Sequence, residues 1–255
     1  MSASRPDPRA LAAQALAGVV AGQSLRAAFT AATAKLPDAR DRALLSNLLH
    51  EGARWWLRFD AALGSLLERP LRERDIHALL VLGLVQLEIM GLSDYAAVAA
   101  TVEATRVLRK PAFAGLVNAV LRRWLRERAT RCAELDRDAV ARTAHPRWLI
   151  DAFAADWPEH AEAILASNNA PAPPWLRVNR RRVARADFAA QLANAGVACT
   201  APDAAYDALI LEASCDVTTL PGYAQGFFSV QDGAAQQAAR LLDLRDGLRV
   251  LDACA

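Results

Sequence analysis

The sequence is poor in cysteine and histidine, and this scarcity excludes several classes of site. Its 255 residues include four cysteines and four histidines. They are Cys132, Cys199, Cys215, Cys254, His50, His77, His145 and His160. No Cys-x-x-Cys pair occurs and no histidines stand at metal-ligand spacing, so neither a zinc site nor a disulfide framework is expected. The histidines are better explained by packing or surface exposure than by catalysis.

Long apolar runs and nucleotide-binding loops are also missing. No uninterrupted apolar stretch is long enough to cross a bilayer, and "MSASRPDPRA" at the start lacks the apolar segment of a signal peptide. There is no Walker loop, no complete GxGxxG and no Ser-His-Asp arrangement. We therefore expect a soluble, cytoplasmic chain with no membrane partner, no metal and no catalytic residues of its own.

Lysine is almost absent, and positive charge comes from arginine. Only Lys35 and Lys110 are lysines among 30 basic residues. Residues 1–131 hold 19 basic against 12 acidic residues, and residues 132–255 hold 11 against 16. A basic half suits a nucleic-acid partner, because neutralising phosphate dominates affinity for RNA and DNA. A GC-rich genome also encodes many arginines and alanines whatever the function of the protein. The placement of the arginines is therefore better evidence for nucleic-acid binding than their number.

Residues 1–131 have the pattern of consecutive amphipathic helices. Asp7-Pro8 predicts a helix start and Gly22 a stop. Asp38 is expected to cap "DARDRALLSNLLHEGARWW", and Asp94 the segment that Lys110-Pro111 ends. "RDIHALLVLGLVQLEIMG" is apolar on nearly every side, which predicts the central buried helix.

The last helix of this region, "AFAGLVNAVLRRWLRER", combines an apolar face with a group of arginines. The apolar face consists of Phe113, Leu116, Val117, Val120, Leu121 and Trp124. The arginines are Arg122, Arg123, Arg126 and Arg128, at what we expect to be the C-terminal end of the helix. Two interpretations are evenly matched. The arginines either favour the negative end of the helix dipole or form a surface for phosphate.

After residue 131 the composition changes. "HPRWLIDAFAADWPEHAEAILASNN" predicts one or two more helices, and "APAPPWLRVN" a connector that runs into a strand. "ADFAAQLANAG" predicts a helix stopped by Gly196, while "VACT" and "ALILEA" predict short strands. "DGAAQQAARLLDLRDG" predicts a helix from Asp232 to Gly247, followed by a buried strand in "LRVLDACA".

A second group of arginines lies in "WLRVNRRRVARADF", around the end of the predicted strand. Its members are Arg177, Arg180, Arg181, Arg182 and Arg185, with Trp175 beside them. Guanidinium groups and an aromatic ring suit an RNA backbone and unstacked bases. A solvated surface loop is the alternative. The glycine-punctuated aromatic loop "LPGYAQGFFSVQDGAAQ" is expected to line a crevice at the final strand.

Several of these stretches together resemble one family. "RDRALLSNLLHEGARW", "LLVLGLVQLEIM" and "GLVNAVLRRWLRE" are similar to the NusB-like helical domain. "HPRWL", "NNAPAPPWLRVN", "LPGYAQGFFSVQD" and "LRVLDACA" resemble the RsmB (Sun) family of 16S ribosomal RNA 5-methylcytosine methyltransferases. The similarity runs over nearly the whole chain in the family's order.

The resemblance implies a multi-domain chain, α then α/β. It has an all-α NusB-like bundle (1–131), linker helices and a small α/β RNA-binding module (132–230), and the first helix and strand of a Rossmann-like methyltransferase domain (231–255). It also implies that the chain is the front part of a longer enzyme. Cys254 and Ala255 would be the first residues of the loop that binds S-adenosylmethionine, and the two catalytic cysteines would lie further on.

The implied reaction is methylation of carbon 5 of cytosine 967 in 16S ribosomal RNA, with S-adenosylmethionine as cofactor. It needs a thiolate, because carbon 5 becomes nucleophilic only after carbon 6 has been attacked covalently. We expect a monomer that is inactive alone and binds 16S ribosomal RNA. The RNA-binding residues expected are Arg122, Arg123, Arg126, Arg177, Arg180, Arg181 and Arg182. The alternative is a non-catalytic, NusB-like RNA-binding adaptor in transcription antitermination.

Overall fold

The computed structural model describes residues 6–203 and 207–253, and helices fill the first part of the chain. These helices are α1 (Pro8–Val20), α2 (Leu25–Thr33), α3 (Ala39–Arg54), α4 (Trp56–Leu66), α5 (Arg74–Glu88), α6 (Asp94–Val107), α7 (Ala114–Leu135), α8 (Ala139–Thr143), α9 (Arg147–Asp156) and α10 (Ala161–Asn169). Residues 38–130 contain no strand, so the predicted all-α bundle is confirmed. None of the described helices is both long and apolar enough to cross a bilayer.

The predicted helix starts follow the sequence signals with one exception. The Asp7 carboxylate accepts hydrogen bonds from the amides of Arg9 and Ala10 at the start of α1. Asp38 caps α3 in the same way. Asp94, however, is the first residue of α6 and Ser93 occupies the cap position. The Asp94 carboxylate accepts a hydrogen bond from Arg128 instead, so its prediction as a cap was wrong by one residue.

Helix α5 lies at the centre of the bundle, as its all-round apolar pattern predicted. Eleven of its fifteen residues are buried. The only polar residue among these eleven is Gln86, whose amide oxygen accepts a hydrogen bond from Arg9 Nε at 2.6 Å. Its amide nitrogen donates to Thr101 Oγ1 and to the Leu82 carbonyl. Burial lowers the pKa of Arg9, which Asp7 and Asp41 partly offset. The hydrogen bond to Gln86 thus compensates part of the free-energy cost of burying the charged Arg9 guanidinium.

We expect Gln86→Leu to lower the free energy of unfolding by about 2–3 kcal/mol, because it leaves the part-buried Arg9 without its side-chain acceptor. Urea unfolding followed by circular dichroism measures this change. Gln14→Leu, on an exposed position of α1, is the matched control and should change stability by less than about 0.5 kcal/mol. A Gln86→Leu protein as stable as the parent would contradict the role given to the network.

Helix α7 extends further than predicted, and this changes the interpretation of its arginines. It continues to Leu135, and its last turn holds no basic residue. Arg122, Arg123 and Arg126 therefore lie in the middle of the helix. Because the dipole effect acts only within the last turn, it does not explain these three residues.

The second part of the chain forms a small antiparallel sheet with one long helix. Its elements are β1 (Trp175–Val178), α11 (Arg185–Asn194), β2 (Cys199–Thr200), β3 (Ala208–Leu211), β4 (Phe228–Val230) and α12 (Ala238–Leu241). Three 3₁₀ turns, at Pro111–Phe113, Val217–Thr219 and Ala235–Gln237, complete the described elements. The strand order is β2-β3-β1-β4. Leu176 and Val178 of β1 point towards Phe188 of α11 in one apolar core, which leaves Arg177 on the other face.

Three predictions after residue 227 fail. Phe228–Val230, expected in a loop, pairs with β1 as a strand. The helix expected from Asp232 to Gly247 is reduced to a 3₁₀ turn and the four residues of α12. No strand forms over the described residues 248–253, where Leu248, Val250 and Leu251 are more than half exposed. A parallel-sheet strand gains stability only from neighbours that pair with it, and these residues have none. The expected Rossmann-like start is not confirmed.

The described residues divide into two compact units. The first extends to Ala170 and the second begins at Pro171, in the proline-rich connector. The predicted linker helices α8 to α10 belong to the first unit. The three functional domains expected from the resemblance, 1–131, 132–230 and 231–255, stay a prediction.

Candidate nucleic-acid interface

The arginines of the second unit lie at the end of β1 and in the turn that follows it. We call Arg177, Arg180, Arg181 and Arg182 the strand-end cluster; all four are exposed. The turn closes by hydrogen bonds from the amides of Arg182 and Val183 to the Asn179 carbonyl. This sharp turn places Arg180, Arg181 and Arg182 together just beyond the C-terminal end of β1.

The four arginines differ in how firmly they are held. Arg177 Nη1 is 3.3 Å from Gln231 Oε1, and Arg180 Nη1 is 3.3 Å from Asp207 Oδ1. Arg182 donates to the Gln225 carbonyl at 2.7 Å. The guanidinium of Arg181 has no partner within residues 6–203 and 207–253; only its backbone amide is bonded. Arg177 and Arg182 are therefore oriented by neutral acceptors and Arg180 by an ion pair with Asp207, while Arg181 is free to meet an anion.

A cleft of about 500 Å³ lies among these arginines. Its polar lining consists of Arg177, Asn179, Arg180, Arg181, Ser229 and one carboxylate, that of Asp207, which is paired with Arg180. Ser229 stands opposite Arg177 in the pairing of β1 with β4. Guanidinium, amide and hydroxyl groups that converge on one cleft are the donors that phosphate oxygens accept from. The sequence analysis missed Asn179 and Ser229, because only strand pairing brings β4 beside β1.

Asn179 holds this cleft in shape. Its amide nitrogen donates to the Gly226 carbonyl at 3.1 Å, and its Oδ1 accepts the Arg181 amide at 3.2 Å. Gly226 has a φ of +66°, a conformation that favours glycine. The glycine-punctuated loop before β4 thus closes the arginine cleft, whereas the sequence predicted that it lines a cofactor crevice.

Trp175, which the sequence places beside the arginines, is half-buried and has part of its indole covered. Gly233 packs against the indole ring so closely that a Cβ there would lie 2.4 Å from Cζ3. The described geometry therefore favours contacts to the RNA backbone over base stacking at Trp175.

The arginines of α7 form a smaller candidate surface than expected. Arg122 and Arg126 are exposed, and Arg126 makes no hydrogen bond or ion pair in the described part of the chain. Arg122 Nε donates to Asn118 Oδ1 at 2.9 Å. Arg123 is tied to Glu127 and to the Leu66 carbonyl. Hydrogen bonds from Arg131 and Arg123 lower the pKa of Glu127. Arg123 therefore serves to join helices as well as to carry charge.

Two of the cysteines that the structure describes, Cys132 and Cys199, are poor nucleophiles. Burial raises the pKa of Cys132 and that of Cys199, which leaves less thiolate near neutral pH. All three described cysteines are free thiols. Among residues 6–203 and 207–253, no three His, Cys, Asp or Glu side chains are grouped to hold a metal ion.

The residues expected to begin a cofactor loop cannot be placed. Cys254 and Ala255 lie outside the described residues. The preceding residues 248–253 are exposed and form no strand, so they offer no cradle of backbone amides for S-adenosylmethionine. The described residues do not fit this cofactor.

Two family models match the chain. A model of the NusB family matches residues 6–126. A second, described as a methyltransferase RsmF/B-like, ferredoxin-like domain, matches residues 145–218. The second match includes β1 and the turn that carries the strand-end cluster.

Curated relatives match almost the whole chain. The ribosomal RNA small subunit methyltransferase B of Pseudomonas putida is 47% identical over 251 residues, which are 97% of this chain and 57% of that protein. Proteins of the same name from Xanthomonas campestris and Vibrio cholerae are 45% and 40% identical over 97% of the chain, and 56% and 57% of their lengths are covered. The chain thus spans little more than half the length of these relatives.

A solved structure shares the fold. The crystal structure of PH0851 superposes with a TM-score of 0.63 and 14% sequence identity. The match covers 94% of this chain and 56% of that one.

Proposed function

Because this chain belongs to the family of ribosomal RNA small subunit methyltransferase B, we propose that residues 1–255 supply the RNA-binding part of such an enzyme. The observation that carries the proposal is the strand-end cluster, where three of the four exposed arginines line a cleft and the guanidinium of Arg181 has no partner among the described residues. Arg122 and Arg126 of α7 are proposed as a second contact, with a smaller contribution from Arg123. An RNA substrate of this kind would place the protein in the cytoplasm.

The contacts proposed are mainly to phosphate. Binding of residues 1–255 to a 16S ribosomal RNA fragment should weaken steeply with salt and depend little on sequence, because each neutralised phosphate releases counterions. Fluorescence anisotropy between about 50 and 200 mM salt measures the dependence. Affinity that is unchanged over this range would remove the basis of the proposal.

We propose that the complete enzyme methylates carbon 5 of cytosine 967 of 16S ribosomal RNA, using S-adenosylmethionine. The name that the relatives share and the family resemblance of "FSVQD" and "LRVLDACA" support this. Cys254 and Ala255 stay proposed cofactor contacts. The adaptor alternative is not favoured, because the RsmF/B-like match and the curated relatives extend beyond the NusB-like helices, which an adaptor has no reason to do.

We expect residues 1–255 alone to transfer no methyl group and to bind S-adenosylmethionine only weakly. The described residues lack the turn of backbone amides that a Rossmann-like site uses, and burial raises the pKa of the Cys132 and Cys199 thiols, which disfavours the nucleophilic thiolate. Titration calorimetry with the cofactor measures binding, and the same preparation should still bind the 16S fragment. A micromolar dissociation constant would overturn this expectation.

A further inference from the structure

The loop between α4 and α5 carries a third group of arginines, which the sequence analysis did not single out. Arg69, Arg72 and Arg74 lie within six residues of one another and are all exposed. None has a hydrogen bond or ion pair in the part of the chain that the structure describes. The neighbouring acids Glu73 and Asp75 are instead occupied by Lys110, whose Nζ is 2.6 Å from Asp75 Oδ1. Three arginines therefore remain available to a ligand.

Arg74 lies at the rim of a cleft of about 440 Å³ between α1, α4 and α5. We call it the Trp56 cleft. Its polar lining consists of Asp60, Arg74 and His77, and its apolar lining of Ala17, Val20, Ala21, Trp56 and Leu71. The rings of Trp56 and His77 lie 5.5 Å apart. A cleft of this volume, with an aromatic wall and a cation at its rim, is large enough for one nucleotide.

The hydrogen bond between His77 and Asp60 fixes what His77 can offer. Nε2 is 2.8 Å from Asp60 Oδ1. A carboxylate can only accept, so Nε2 carries the proton that it donates. In the neutral ring Nδ1 is then an acceptor, suited to a ribose hydroxyl or a base amino group.

A second cleft adjoins the first. It measures about 460 Å³, lies between the loop and α7, and is lined by Glu68, Arg69 and Arg123 among other residues. Leu71 lines both clefts, so the loop forms the ridge between them. The ridge leads from Arg123 of α7 past Arg69 to the Trp56 cleft, where an extended RNA strand would meet basic side chains.

We propose that the Trp56 cleft binds one unstacked nucleotide of a single-stranded RNA segment, with the base against Trp56 and its phosphate at Arg74. Arg69 and Arg72 bind the phosphates of the adjoining nucleotides. Aromatic faces beside arginines are how proteins hold unstacked RNA bases. The inference rests on the proposed RNA-binding function and adds a site for one nucleotide, in a unit separate from the strand-end cluster.

The chain has only four histidines, so the imidazole signals of ¹⁵N-labelled residues 1–255 give a local readout. Titration with cytidine 5′-monophosphate should shift the His77 signals and leave those of His160 unchanged. Cytidine, which lacks the phosphate, and ribose 5-phosphate, which lacks the base, should each bind at least about fivefold more weakly. Arg74→Ala should weaken binding of the nucleotide about tenfold. Arg137→Ala, at an exposed arginine that lines neither cleft, is the matched control and should change nothing.

A pentauridylate distinguishes an RNA segment from a free nucleotide. It should bind about tenfold more tightly than uridine 5′-monophosphate, and Arg69→Ala/Arg72→Ala should abolish that gain without affecting the mononucleotide. Equal affinities would overturn the RNA assignment. His77 signals that do not move, or that move equally in Arg74→Ala, would overturn the site itself. If the protein still binds the 16S fragment in that case, the proposed function stands and only the inference fails.

Discussion

Trp124→Ala is expected to lower the free energy of unfolding of the first unit by about 4 kcal/mol. The indole is fully buried, in edge-to-face contact with Phe59, and its Nε1 donates to Glu88 Oε1 at 2.7 Å. Removing a buried tryptophan side chain loses its transfer free energy and leaves a cavity between α4, α5 and α7. Because the free energy of unfolding of a small domain is only about 5–15 kcal/mol, this loss should leave the helical bundle marginally stable.

Urea unfolding followed by circular dichroism at 222 nm measures the effect of Trp124→Ala, and the signals of the four histidines, which all lie in the first unit, follow the unfolding of that unit by itself. Trp148→Ala is the matched control, because that side chain is 70% exposed, and should change stability by less than about 0.5 kcal/mol. A loss below about 1 kcal/mol for Trp124→Ala would mean that the core position assigned to this residue is wrong.

Reversing the charge of Arg180, Arg181 and Arg182 together to glutamate is expected to weaken binding to a 16S fragment at least about a hundredfold at low salt. Charge-assisted hydrogen bonds are each worth about 1.5–3 kcal/mol, and the substitution adds repulsion to their loss. Because up to three phosphate contacts disappear, the slope of log affinity against log salt should fall by up to about three. Anisotropy titrations at several salt concentrations give both quantities.

Two matched variants make this experiment specific. The same three positions changed to lysine keep the charge and should retain affinity within about tenfold, although the bidentate geometry of arginine is lost. Arg26→Glu/Lys35→Glu/Arg40→Glu applies an equal change of charge to exposed positions in α2, in α3 and in the turn between them, outside the proposed surfaces, and should cost much less affinity. If the variant binds the fragment as tightly as the parent does, the strand-end cluster is only a solvated surface loop and has no part in RNA binding.

Local signals predicted most of the helices. The apolar positions of α5, the caps at Asp7 and Asp38 and the stops at Gly22 and Gly196 depend on residues within one or two turns. The end of α7 could not be predicted in this way, because no glycine or proline follows Arg128 before Leu135. The extra turns are supported by burial of Leu135 in the core and by ion pairs such as Arg131 with Glu127. Strand β4 was missed because three residues after a glycine-rich loop carry little periodicity, and its partner lies some fifty residues earlier in β1.

The sequence by itself determined the helical first half, the small α/β module and the family, since these follow from periodicity, turn residues and motifs in a fixed order. Only the tertiary structure decided what each arginine can do. Arg123 and Arg126 stand on the same helix, yet Arg123 is tied to the Leu66 carbonyl while Arg126 has no partner among the described residues. Arg74 gained a role only when α1 and α4 brought an aromatic cleft beside it. Such differences arise from contacts between residues far apart in sequence, which composition and spacing do not encode.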